Sequence, residues 1–239
     1  MSKTGGMSKQ ERYVVIVAGG KGTRMGSDVP KQFLPICGIP ILMHTIRRFL
    51  EYDKSLHVLL VLPSSQCKQW AKLCEKHEFR EEIVVIEGGE SRLQSVENGL
   101  RHVPDGVLVG IHDGVRPLVS RNTIERCYQG AERNGSAIPV VSLTDSIREE
   151  GENGTYAVDR SRYHLVQTPQ VFRSADLKSS YSHLSTMTEE ELGRLTDDAS
   201  VYEKAGGVIY LVDGNRENIK ITTPIDLLIA EVLMKKGRN

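Results

Sequence analysis

No excess of either charge marks this chain: lysine plus arginine and aspartate plus glutamate number 31 each. A global field drawing in nucleic acid or a membrane surface is therefore not expected, and any anion site must be a local cluster of cations. Cysteine is sparse and unpatterned. Cys37, Cys67, Cys74 and Cys127 form no C-x-x-C and no metal-like spacing with histidine, which points to reduced structural thiols in a cytoplasmic protein. No histidine stands at ligand spacing from another. No apolar run approaches the roughly 20 residues of a membrane span. Met1–Gln10 is polar and lacks the apolar core of a signal peptide, so a flexible tail is expected over 1–10. No Ser-His-Asp or Cys-His constellation is apparent, which argues against a protein nucleophile. The 239 residues suit one large α/β domain and are too few for two full ones.

Against those absences stands Val14–Lys31, VVIVAGGKGTRMGSDVPK. Val14, Val15, Ile16 and Val17 make the short apolar run of a buried parallel strand. It stops at Ala18, Gly19, Gly20 and then Gly22, where glycines let the backbone turn tightly and approach a ligand. Arg24 and Lys31 add two cations. A backbone cradle with an arginine and a lysine at its rim suits a polyphosphate. A Walker loop is excluded because Gly22, not Ser or Thr, follows Lys21. A dinucleotide fingerprint fails as well. Gly20 and Gly22 fit it, but Met25 takes the third glycine position, and the second strand ends Leu62-Pro63-Ser64 without an acidic residue for a ribose.

A strand–helix rhythm follows. Pro40 is placed to open a helix whose apolar face is Ile41, Leu42, Thr45, Ile46, Phe49 and Leu50. Strands are expected over 56–62, 83–86, 107–112 and 137–141, and helices over 66–77 and 121–134. Trp70 is expected in the core with Leu73 and Cys74. The third strand runs into Gly88-Gly89-Glu90-Ser91-Arg92. Ligands of α/β sheets sit at the carboxyl ends of strands, so this glycine pair is expected beside the first loop. Ser95 can bond a base or phosphate oxygen. Arg92 reads equally as a ligand or as a solvated residue of a first helical turn. Beyond the fourth strand, Asp113 can accept from a ribose hydroxyl or help place Mg²⁺, and Arg116 can meet a phosphate; alternatively the two pair to pin the loop. His112 reads as structural.

The rhythm then breaks. Ser142–Asp159 is polar and Asn153-Gly154 marks a hairpin turn, so a projecting β-arm is expected over about 142–160. A lone hairpin is marginal in water and needs something to pack on. Helices follow over 174–181 and 197–205 around a loose 185–191 segment, then a strand over 208–212. A final helix is expected to be capped by Thr222, with Pro224 in its first turn. Thr196-Asp197-Asp198 is explained as a helix cap, and no chemistry is assigned to it. Lys220, between two β-branched residues, suits a phosphate ligand better than a surface strand.

These segments resemble one family. G-G-x-G-T-R-M followed by P-K-Q-F-L is similar to the opening of the nucleotidyltransferases that join a nucleoside triphosphate to a sugar or polyol phosphate. GGESRLQSV, HDxxRP, VDR, QTPQ, TDDAS and NIK follow in order over Val14–Leu233. The set resembles the 2-C-methyl-D-erythritol 4-phosphate cytidylyltransferases of the non-mevalonate isoprenoid pathway. That resemblance implies an α/β, Rossmann-like fold: a mostly parallel twisted sheet flanked by helices, forming one nucleotidyltransferase domain over 1–239. The arm would embrace a second subunit of a homodimer. It also implies cytidylyl transfer from CTP to the polyol phosphate, with Mg²⁺ as cofactor and neither nucleic acid nor membrane as partner.

The resemblance assigns roles by position. Ala18, Gly19, Gly20, Gly22, Gly88, Gly89, Glu90, Arg92, Ser95 and Asp113 would bind nucleotide. Arg24 and Lys31 would contact the triphosphate, while Arg160 and Lys220 clamp the acceptor phosphate. Arg116, Ser146, Val166 and Thr168 would border that second substrate, with Ser146 and Arg116 reaching a neighbouring subunit's pocket. Mg²⁺ would rest mainly on the CTP phosphates, with Asp113 a candidate ligand. Ser146 stands where the family usually has Thr, and Gly114 where many members have Ala; both changes are mild. Ribitol-5-phosphate cytidylyltransferase is the nearest alternative. A sugar-nucleotide pyrophosphorylase lacks the PKQ, HDxxRP and NIK set. A non-catalytic nucleotide-binding dimer is opposed by retention of Arg24, Lys31, Arg160 and Lys220 together.

Overall fold

In the computed structural model, which describes residues 10–20 and 29–236, the first apolar run becomes β1 (Arg12–Val17). Positions 1–9, 21–28 and 237–239 lie outside the described residues, and with them the expected tail, Gly22 and Arg24. A small ribbon, β2 (Pro35–Ile36) and β3 (Ile39–Pro40), turns at Cys37-Gly38, both at positive φ. Then come α1 (Ile41–Tyr52), β4 (His57–Leu62), α2 (Ser64–Lys76), β5 (Val84–Glu87), α3 (Arg92–Leu100) and β6 (Leu108–Asp113). The second half holds α4 (Arg121–Asn134), β7 (Ser136–Ser142), the hairpin β8 (Ile147–Gly151) and β9 (Gly154–Val158), β10 (His164–Val166) and β11 (Gln170–Arg173). It ends with α5 (Ser174–Ser182), α6 (Glu189–Gly193), α7 (Asp198–Lys204), β12 (Leu211–Asp213) and α8 (Pro224–Lys236).

The main sheet runs β10-β7-β11-β6-β1-β4-β5, with β12 paired to β7. β5, β4, β1 and β6 are mutually parallel, whereas β11 is antiparallel to both of its neighbours. From β1 the chain steps outward through β4 to β5, then returns to β6 on the other side of β1. That reversal opens a crevice at the carboxyl ends of β1 and β6. Burial on both faces explains why β1 reads as an unbroken apolar run. Val14 and Ile16 meet Leu42, Ile46, Phe49 and Trp70 on one face. Val15, pointing the other way, meets Val96 and Leu100. Trp70 is a core residue, stacked on Phe33 at 6.2 Å and edge-on to Phe79 at 5.5 Å.

Three local expectations need correction. The segment 185–191 is not loose, because Thr188 and Glu191 form a reciprocal capping box that starts α6. The strand expected over 208–212 is shorter and later, since only Leu211–Asp213 reaches β7 in parallel register. The cap of α8 is Thr223, not Thr222: Asp226 N–H donates to Thr223 Oγ1 at 3.4 Å, and the Asp226 carboxylate accepts from Thr223 N–H at 2.8 Å. The β8–β9 hairpin forms a separate two-stranded sheet with almost every residue exposed. Among the described residues, no helix is long and apolar enough to cross a membrane.

Close packing under the crevice is found where α3 meets β1. A Cβ added at Gly99 would sit 2.5 Å from Val15 Cγ1 and 3.1 Å from Val61 Cγ2. Gly99→Ala should lower unfolding stability in urea by about 1–3 kcal/mol through overpacking. Gly193→Ala, which would meet nothing within 4 Å, should show no such loss.

Candidate active site

The crevice is floored by the last residue of β6. Asp113 is buried, and one carboxylate oxygen takes both Arg116 Nε at 3.1 Å and Lys220 Nζ at 3.2 Å. Arg92 Nε lies 3.9 Å from the other oxygen. Burial alone would raise the Asp113 pKa, but Lys220, Arg92 and Arg116 together hold the carboxyl well below the usual carboxylate range. The cations arrive from three places: the first turn of α3, the loop after β6, and the segment leading into α8. Arg116 is also fixed from behind, donating from Nη1 to the Asn218 carbonyl at 2.8 Å. Lys220 keeps a side chain 43% exposed and reaches the cleft together with Arg92, whereas Arg116 does not line it.

Around this floor the cleft encloses about 240 Å³. Its first wall is the end of β1, with Ala18, Gly19, Gly20 and Lys31. Lys31 lies across Gly20, where a Cβ would come within 3.1 Å of the lysine Cε. Gln32, fully buried, ties this wall down by donating to the Ala18 carbonyl at 2.7 Å and to Gln66 Oε1 at 2.5 Å. The opposite wall is the turn after β5, with Gly89, Glu90, Arg92 and Ser95. Gly88 abuts Ser95, whose hydroxyl accepts from Gly89 N–H at 3.1 Å and donates to the Ser91 carbonyl at 2.8 Å. Gln94 accepts from Glu90 N–H at 2.8 Å and packs against Gly89 so closely that no Cβ would fit there. The glycine pair is thus stitched into shape before any ligand arrives.

Behind Asp113 stands His112, fully buried. Its Nε2 faces the Arg116 carbonyl at 3.2 Å and so carries the proton; its Nδ1 then accepts from the Thr168 hydroxyl at 3.0 Å. Thr168 in turn accepts from Asp113 N–H at 3.1 Å. Burial pushes the imidazole pKa down to about 3. The ring is a neutral spacer with both nitrogens occupied, as its structural reading from sequence holds.

Several expected site residues therefore share one cleft, and others do not. Thr168 lies in the layer beneath the floor, its hydroxyl committed to His112 and Asp113. Within its own chain Arg116 binds Asp113 and the Asn218 carbonyl. Arg160, expected to clamp with Lys220, is instead exposed at the root of the arm, where it donates to the Thr144 carbonyl. Ser146 and Val166 are also exposed and outside the cleft lining. The arm and β10 lie beyond β7, across β11 from Asp113. Arg92 is no solvated helix residue; Asp198 binds it at 2.6 Å. Sequence reasoning does not single out Gln32 or Gln94 and takes Asp198 only as part of a helix cap, although each lies inside a quoted motif. A wider groove of about 1300 Å³ lies at the amino ends of β1 and β4, far from these cations.

The buried neutral His112 gives a pH signature. Its folded pKa of about 3 lies below the ordinary 6.5, so the unfolded chain binds the extra proton first. Stability from this group is complete above pH 6.5 and declines as pH falls from 6.5 towards 3. Asp113, also depressed, adds a loss of the same sign below the ordinary carboxyl range. Urea unfolding should show a slope approaching roughly 1.4 kcal/mol per pH unit between pH 6 and 4, and His112→Gln should flatten it.

Comparison with known proteins agrees with this geometry. The family described as IspD, 2-C-methyl-D-erythritol 4-phosphate cytidylyltransferase, matches residues 13–236. The protein of that name from Phocaeicola vulgatus is 51% identical over 223 residues, covering 93% of this chain and 99% of its relative. That from Bacteroides thetaiotaomicron is 51% identical over 224 residues, covering 94% and 100%. The crystal structure of the Thermus thermophilus protein of that name is 30% identical, with a TM-score of 0.72, covering 94% of this chain and 99% of that one. The chain belongs to the 2-C-methyl-D-erythritol 4-phosphate cytidylyltransferase family.

Proposed function

We propose that this protein transfers the cytidylyl group of CTP to 2-C-methyl-D-erythritol 4-phosphate and releases pyrophosphate. One observation carries the reading beyond family membership: Lys31, Arg92 and Lys220 line a single cleft at the sheet's reversal point, around one ionised carboxylate. An oxygen of the acceptor phosphate attacks the α-phosphorus. A new P–O bond forms there as the bond to the β-phosphate breaks, and pyrophosphate leaves with the electron pair. The attacking oxygen is already ionised at neutral pH, so no base is required. His112, with both nitrogens bonded, is not available as one. Catalysis reduces to holding two polyanions in line and stabilising the charge that builds on phosphorus.

Lys31 and Arg24 take the triphosphate, and Lys220, backed by Arg116, takes the acceptor phosphate. Asp113 fits a role as the one carboxylate ligand of Mg²⁺. No group of three His, Cys, Asp or Glu gathers among the described residues, so an ion held by Asp113 would take its other ligands from phosphate oxygens and water. The chemistry it would supply there is neutralisation of triphosphate charge. Arg160, Ser146 and Val166 act on the acceptor from a second subunit. Exposed Tyr156, Tyr163, Leu165 and Val166 on the arm side, and the stripe Ile225, Leu228, Ile229 and Val232 on α8, support a homodimer built through the arm. The four free cysteines suit the cytoplasm.

Product formation from CTP with each polyol phosphate in turn tests the reaction. Methylerythritol phosphate should be turned over and ribitol 5-phosphate should not; the reverse would move the protein to the ribitol branch. Lys31→Ala should lower kcat about 100-fold with little change in KM for the polyol phosphate. Lys220→Ala should chiefly raise that KM; loss of turnover with KM untouched would refute the clamp. Sedimentation at micromolar concentration should give a dimer, and Arg160→Ala protein mixed with Lys220→Ala protein should regain activity through hybrid sites. A monomer with full activity would rule out the second subunit's part.

A further inference from the structure

From sequence Thr196-Asp197-Asp198 reads as a helix cap, but of the three only Asp197 serves that purpose. Asp197 is the cap of α7, accepting from Ser200 N–H at 2.9 Å. Asp198, the next residue, is fully buried and turns away into the molecule. Its carboxylate takes Arg92 Nη2 at 2.6 Å, Arg92 Nη1 at 3.2 Å and the Tyr181 hydroxyl at 2.6 Å. The start of α7 is itself pinned to the sheet by Gln170, which donates to Asp197 at 2.7 Å and accepts from Ala199 N–H at 2.8 Å. Gln170 sits on β11 opposite Ile111 of β6, two residues before Asp113. Three elements (α5, α7 and β11) thus converge to aim one carboxylate at a cleft residue 106 positions away in sequence.

We propose that Tyr181 and Asp198 are positioning residues for nucleotide binding, acting through Arg92. A bidentate carboxylate locks a planar guanidinium in position and orientation. It also offsets the arginine's charge, so Arg92 meets the nucleotide as a fixed set of N–H donors, not as a free cation. Arg92 opens α3 directly after the Gly88–Ser91 turn and lies 3.9 Å from Asp113. Fixing its guanidinium therefore fixes the wall that faces the nucleotide and one side of the floor. The acceptor side, held by Asn218 and Lys220, meets it only through the shared Asp113 carboxylate. The proposal rests on CTP as the nucleotide.

Calorimetry of CTP with Mg²⁺ in the absence of acceptor, together with steady-state kinetics, tests it. Tyr181→Phe should weaken CTP binding about five- to tenfold and raise the KM for CTP equally. Its KM for the polyol phosphate and its unfolding midpoint should stay close to the parent's. Asp198→Asn should move the same parameter further. Tyr202→Phe, altering a ring packed on Phe172 at 5.0 Å in the same region, should leave CTP binding unchanged. Folded Tyr181→Phe protein that binds CTP like the parent would overturn the proposal. So would equal shifts in both KM values, which would mark the network as scaffolding alone. Parent protein that binds no CTP would instead overturn the nucleotide reading beneath it.

Discussion

A carboxylate buried at the end of a central strand is costly unless cations meet it, and Asp113 is met by three. Removing its charge from water makes those contacts strong, and they in turn dictate where Arg92, Arg116 and Lys220 stand. With Asp198 behind Arg92, three cations face two carboxylates, leaving a local surplus of one positive charge in a chain that is neutral overall. Lys31 adds one more from the β1 side, set against Glu90 on the opposite wall. The protein therefore concentrates positive potential in one cleft without a global field, which suits polyanionic substrates.

The surrounding layer keeps that carboxylate in place. His112, Thr168 and the Asp113 backbone form a chain of hydrogen bonds that leaves neither imidazole nitrogen unpaired beneath the floor. Gln32 and Gln94 do for the two glycine turns what Thr168 does for the floor, using side-chain amides to fix backbone that glycine would leave free. A cleft so braced can hold two substrates in register with little reorganisation, the condition under which fixed charges are most effective.

Much of this was legible from local signals. Apolar β-branched runs at β1 and β4, helical spacing in α1, and glycine pairs at strand ends mark the α/β rhythm and the two walls. The turn at Asn153-Gly154 marks the arm. What local pattern does not encode is partner choice over distance. Asp197 and Asp198 are adjacent and chemically alike, yet one caps a helix and the other holds Arg92 across 106 positions. Arg160 shows the converse: its motif suggests a place beside Lys220, but the chain's path leaves it on the arm, away from its own cleft. A short helix was missed at Thr188, where a side-chain cap and not apolar periodicity defines it, and the cap of α8 was expected one residue before Thr223.

The central claim is that Asp113 assembles the cation cluster that turns over the two substrates. Pyrophosphate release from CTP and 2-C-methyl-D-erythritol 4-phosphate by Asp113→Asn protein, compared with the parent at equal folded fraction, tests it most directly. A fall in kcat/KM of about 100-fold or more is expected, since an amide cannot hold three cations on one point. Turnover within a few-fold of the parent would contradict it.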